Sequence, residues 1–280
     1  MGTSKGYQMP TGGNWTPLKK DATDFVQGTG NEKVNPGNLV TGFIRATGGF
    51  KGMLRGNGGG APSSGAGGGV STTKTPRKGG HKAGAGGGSG SGGRVAKASA
   101  AVGTARNLGG FLSSVDAVGL AQALRDRGLD SVVGKSAADV ADALLDEFAG
   151  PASTLDNALA RESLAEIRDE LLTDAESFED VEQRLNGAID ELGIFGILVS
   201  FFGHYIFKNF CRNFYEDWVK RVGDAKAAAS LTQIKDYVTS SLRTKLAGKK
   251  VSEVDWYKGD GKQFVEEVLK ETVEVFGVTG

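Results

Sequence analysis

Apolar residues recur at helical spacing through most of this chain and at strand spacing almost nowhere. The clearest run is Val140, Leu144, Leu145 and Phe148, an i, i+4, i+5, i+8 stripe along one side of a helix. It begins at Ser136-Ala-Ala-Asp139, a capping-box-like start, and Gly150-Pro151 breaks it. Leu155, Leu159, Leu164, Ile167 and Leu171 line the next helix. Ser177 with Asp180 opens another, which carries Val181, Leu185, Ile189 and Leu192. Residues 225–246 and 262–276 keep the same period, the latter through Phe264, Val265, Val268, Leu269, Val273 and Phe276. Upstream, the Ala-rich stretch from Arg94 to Asn107 reads as helix, and Ser114 is placed to cap a further one that Gly128 stops. Residues 94–280 are therefore expected to form an all-α domain, and about 185 residues are enough for a real hydrophobic core.

The first 55 residues promise less. Thr16-Pro17 reads as an N-cap and first helical residue, ahead of Leu18, Ala22, Phe25 and Val26. Asn35-Pro36 repeats the signal before Leu39, Val40, Phe43 and Ile44, and Gly28 and Gly48-Gly49 should end the two helices. Isolated helices this short are marginal in water, so they should dock on the main domain or on a partner. Between head and body lie residues 56–93, with 17 glycines in 38 positions. So few apolar side chains cannot offset the entropy of ordering. The tract reads as a flexible linker spanning on the order of 35 Å.

Charge sharpens this division. The chain is neutral overall, with 33 Lys+Arg and 33 Asp+Glu. Yet no acidic residue occurs between Lys33 and Val115, while residues 116–280 are strongly acidic. Such segregation implies that different segments meet different partners, or each other. The single Cys211 leaves no internal disulfide framework. The head lacks an apolar signal-peptide region, so the expected location is cytoplasmic. Position six holds Gly6 where a myristoylation signal needs Ser or Thr. Removal of Met1 ahead of the small Gly2 would leave Gly2 with the free α-amino group.

Candidate chemistry in the body is sparse. Gly128 to Ser136 resembles a phosphate-binding loop, but five residues separate its glycines where the motif allows four, and a helix precedes it. A helix stop at Gly128 and a cap at Ser136 explain it without a nucleotide. His81 and His204 are far apart and form no zinc-like cluster, so no metal and no cofactor are expected. Cys211 sits among Phe207, Phe210 and Phe214, the setting of a buried structural cysteine. Lys74, Arg77, Lys78 and Lys82 could touch nucleic-acid phosphates, or simply keep the linker solvated. No catalytic residue is assigned.

The most apolar run is Gly193 to Gly203, continuing through His204, Tyr205, Ile206, Phe207 and Phe210. Only about ten of its residues are free of strongly polar groups, short of the ~20 a membrane span needs. A central core helix is the main expectation. A partner-binding face anchored by Phe201, Phe202, Tyr205, Phe214 and Trp218 is the second. A membrane-perturbing effector using residues 193–207 is an alternative, as is a structural adaptor with a nucleic-acid-contacting basic linker.

The head Met1-Gly-Thr-Ser4, the stretch Pro10-Thr-Gly-Gly13 and a helical C-terminal region after low-complexity sequence together resemble the QatB family. That family is the B component of the four-part Qat anti-phage defence system of bacteria. The likeness is most specific over the first twenty or so residues. It implies an ATPase, a QueC-like enzyme and a TatD-like nuclease as neighbours. QueC-like enzymes in defence operons are implicated in joining a deazaguanine to a partner's N-terminal glycine. The matching position here is Gly2, with Thr3 and Ser4 as recognition residues. An α-amino group with a pKa near 8 is a usable nucleophile once deprotonated. The resemblance therefore implies a non-enzymatic subunit that is itself modified.

Overall fold

The structure is a computed structural model, and it describes residues 10–32, 34–55, 98–247, 254, 256 and 260–277. Ten α-helices and one short 3-10 turn form among these residues, with no strand. In chain order the helices are α1 (Trp15–Gln27), α2 (Pro36–Ala46), α3 (Gly49–Arg55), α4 (Ser99–Val118) and α5 (Leu120–Asp126). They continue with α6 (Ala137–Ala149), α7 (Leu155–Leu171), α8 (Phe178–Val222), α9 (Asp224–Leu246) and α10 (Asp260–Glu274). The all-α expectation therefore holds.

Several starts are fixed by the side chains that the sequence offers. Ser136 Oγ accepts from Asp139 N at 3.2 Å, and Asn35 Oδ1 accepts from Asn38 N at 2.9 Å. Ser177 and Asp180 form a full capping box, each side chain bonded to the other's backbone N–H. These contacts satisfy N–H groups that a helix start leaves orphaned.

Other boundaries moved. Ser114 does not open a helix but lies inside α4, where its Oγ donates to Gly110 O at 3.0 Å. Leu108, Phe111, Leu112 and Val115 form one continuous buried stripe there, and that packing outweighs a polar cap signal. The break comes at Gly119, whose φ of 79° turns the chain, and Glu182 Oε1 then accepts from Leu120 N at 2.9 Å to start α5. α1 begins at Trp15, one residue before the expected cap. α3 was not anticipated, because its seven residues carry too short a period to read.

α8 is the centre of the molecule and touches α1, α4, α6, α7, α9 and α10. It is broken at Gly193, where φ 66° and ψ 163° suit glycine. The rod after the break buries Ile197, Leu198, Phe201, Phe202, Tyr205, Ile206, Phe210, Phe214 and Trp218 to 1% exposure or less. The head does not stand apart from this core. Trp15 and Phe43 meet edge to face at 6.0 Å, and Phe43 meets Phe210 at 5.4 Å. Phe25 lies 5.9 Å from Trp218. Of the two docking alternatives, the head helices take the main domain. Thr41 Oγ1 fastens α2 further by donating to Phe276 O at 2.8 Å.

The returning chain meets the departing one. Ala98 N donates to Met53 O at 2.8 Å. The glycine-rich segment therefore leaves and rejoins the body at one place, and it does not hold head and body apart. The expected linker itself lies outside the described residues.

A partly buried ion network ties α7, α8 and α9. Glu166 accepts from Lys208 Nζ at 2.6 Å and Lys235 Nζ at 3.0 Å. Burial alone would raise its pKa, but the two ammonium groups overcome that and hold it at about 2. The shift stabilises the fold above the unfolded carboxylate value near 4.5, and the contribution is lost as pH falls from there towards about 2. Glu166→Gln should remove on the order of 2 kcal/mol of this acid-sensitive stability, allowing for partial solvent screening. Urea midpoints measured between about pH 5 and about pH 2 check it: the variant's slope against pH should be the shallower.

Candidate functional site

Gly2, Thr3 and Ser4 lie outside the described residues, as do His81 and the linker cations Lys74, Arg77, Lys78 and Lys82. What is described is the anchor that follows the N-terminus. Pro10 is buried and Trp15 opens α1 with its ring in the core. Gly2 is thus eight residues from a fixed point, a reach of at most about 28 Å for extended chain.

The five aromatic residues expected on a partner-binding face are buried. Phe201, Phe202, Tyr205 and Trp218 are 0% exposed and Phe214 is 1% exposed. Within this chain they are core residues, covered by its own helices. Phe214 and Trp218 do act as anchors, but for the chain's own head: Trp218 meets Phe25, and Phe214 meets Phe43 at 6.4 Å. Helical periodicity marks such residues as buried without saying what buries them.

Cys211 is half-buried, and burial pushes its thiol up to about 12. It stays protonated at neutral pH, which removes the thiolate that a nucleophile needs. The loop-like Gly128–Ser136 segment is a turn between α5 and α6, with Gly128 left-handed at φ 73° and Ser136 capping. No group of three or more His, Cys, Asp or Glu side chains close enough to hold a metal occurs among the described residues. By length and composition α8 could cross a membrane, with a mean hydropathy of 1.5 over its most apolar 18 residues. Of that 18-residue stretch 39% is buried in the bundle, and the apolar residues Phe195, Ile197, Leu198, Val199, Phe201, Phe202, Tyr205 and Ile206 face the core.

One feature of the surface went unread in the sequence. A cleft of about 840 Å³ opens beside the α8 break, between the end of α4, the two rods of α8, the end of α9 and Trp256. Its floor is apolar, with Leu192, Ile194, Phe195, Leu246 and Phe264. Its rim carries Asp116, Glu170, Asp190 and Glu191 against Arg243. Glu170 Oε1 lies 3.0 Å from His204 Nε2, whose ring is buried in the wall. The other three carboxylates have no ion-pair partner among the described residues. The pair Asp190-Glu191, separated from Gly193 by Leu192, was a visible signal, but its company with Asp116 and Glu170 depends on packing.

Fold and surface define an all-α protein built around a broken central helix with an acid-rimmed cleft at the break. The chain belongs to the QatB family: the family described as Qat anti-phage system associated protein QatB matches residues 87–276. It is accordingly a component of the multi-component Qat anti-phage system. The match covers the helical body and leaves out residues 1–86, so it does not fall on the head, whose residues carry the most specific part of the resemblance. No curated protein and no solved structure matches the chain.

Proposed function

We propose that this chain is a non-enzymatic subunit of a cytoplasmic Qat defence complex whose Gly2 is the acceptor for a deazaguanine-type modification by a QueC-like partner. Thr3 and Ser4 are the residues that enzyme reads. The helical body docks on partner subunits, the ATPase first and the TatD-like nuclease as a further contact. Membership of the QatB family carries this reading. The buried anchor at Pro10 and Trp15 supports it, because it would leave the first nine residues as the part offered to another enzyme. Presentation would then depend on that short segment and not on the long glycine-rich tract, whose flanking residues Met53 and Ala98 meet.

Intact-mass spectrometry tests it. Co-expression with the QueC-like neighbour should add a mass that fragmentation places on Gly2. Gly2→Ala should lose that mass entirely while leaving the helical circular dichroism unchanged. An unmodified N-terminus under co-expression would end this reading.

A further inference from the structure

We propose that the acid-rimmed cleft at the α8 break is the docking site for the chain's own basic stretch, residues 74–82. Charge is the first reason. Asp116, Asp190 and Glu191 stand on the rim without an ion-pair partner among the described residues, and Arg243 is the cation that faces them. Residues 56–97 carry Lys74, Arg77, Lys78, Lys82, Arg94 and Lys97 and no acidic residue. The acidic cleft and the basic segment are thus complementary parts of one chain.

The cleft's floor is the second reason. Leu192 is 48% exposed there, one of three large hydrophobic residues left exposed among those described. An apolar floor with a charged rim suits a peptide that brings short apolar groups and cations together. Val70, Pro76 and the methyl groups of Thr72, Thr73 and Thr75 flank the cations of this stretch.

Reach is the third. The segment rejoins the body at Ala98, and Asp116 lies eighteen residues further along the α4 direction, about 27 Å away at helical rise. Lys82 precedes Ala98 by sixteen residues, which can span up to about 55 Å. The geometry thus allows contact with chain to spare. Covalent attachment also supplies an effective concentration that reaches the millimolar range for short linkers, so individually weak ion pairs can suffice. Contacts of this kind weaken with salt.

A photo-crosslinking amino acid in place of Leu192 in the full chain tests the proposal. After irradiation, digestion and mass spectrometry, the cross-linked peptides should map within residues 70–97 of the same chain. Their yield should fall several-fold at about 0.5 M salt. Charge reversal by K74E/R77E/K78E/K82E should lower it at least five-fold. Helical circular dichroism of that variant should match the parent's, which separates a lost contact from unfolding. Adding D116K/D190K/E191K to that variant should restore the yield. Cross-links to other parts of the chain, or no cross-link at all, would overturn the proposal. So would cross-links between heavy- and light-isotope copies, which would give the cleft to a second molecule. A yield indifferent to charge reversal would do the same. None of these results depends on whether Gly2 is modified.

Discussion

Trp218→Ala should destabilise the fold by about 3–5 kcal/mol and release the head from the body. Trp218 is fully buried near the end of α8. Its ring lies 5.8 Å from Phe210, 6.0 Å from Phe214 and 5.9 Å from Phe25 of α1. Removing the indole leaves a cavity between two elements that no chain connection holds tightly together. The residues of α1 and α2 can then move away, whereas a cavity inside one rigid bundle could only partly close. The indole N–H has no hydrogen-bond partner among the described residues, so truncation also removes an unsatisfied donor. That places the value in the lower half of the range. Chemical denaturation gives the total loss. Hydrogen exchange should show the larger increase in α1 and α2, with α7 and α9 less affected. Uniform loss of protection across all helices would contradict the anchoring role. Trp218→Phe keeps an aromatic ring and should lose less than half as much.

Asp156→Ala should destabilise by about 2–4 kcal/mol, acting first at the start of α4. Asp156 is 7% exposed in the first turn of α7. It accepts from Ala100 N at 2.7 Å, Ser99 Oγ at 3.1 Å and Tyr205 OH at 3.0 Å. One carboxylate thus supplies the cap that α4 lacks in its own sequence, since Ala98 has no side-chain acceptor. It also satisfies a phenol buried in α8. Truncation removes the acceptor that Ala100 N, Ser99 Oγ and Tyr205 OH share. Burial raises the Asp156 pKa, and its hydrogen bonds oppose that rise. A carboxyl group whose folded pKa is raised stabilises most at low pH and loses that contribution as pH climbs from 3.8 through the folded value. The trend is opposite to that of Glu166. In Asp156→Ala it should vanish, and amide exchange near residues 99–102 should accelerate more than elsewhere. Because α4 begins where the glycine-rich segment rejoins the body, loosening this cap would also loosen the base of that segment.

Much of the architecture was legible because it depends on local chemistry. Ser136, Ser177 and Asn35 announce helix starts through side chains that reach their own backbone, and all three do so. The errors lie where distant residues decide. Ser114 carries a cap signal, yet it sits in mid-helix because the apolar residues around it are buried against other helices. Gly109 gives no sign in sequence of its role: a Cβ there would come within 2.3 Å of the Trp256 ring, so a closer approach is possible only without a side chain. Glycines in a helix usually weaken it, and here one permits packing.

The candidate site shows the same division. Sequence alone established an all-α chain, a basic glycine-rich segment free of acid, an acidic body and a long apolar stretch after Gly193. Composition and periodicity suffice for these, since they are sums and spacings along the chain. The apolar stretch is the central core helix that the sequence led one to expect, while tertiary structure decided that its aromatic residues hold the chain's own head. Tertiary structure decided too that Met53 and Ala98, which flank the glycine-rich segment, meet. Finally, it gathered Asp116, Glu170, Asp190 and Glu191 around one cleft. Helical periodicity tells which face is apolar, but which partner covers that face is set by long-range packing, which spacing along the chain does not encode.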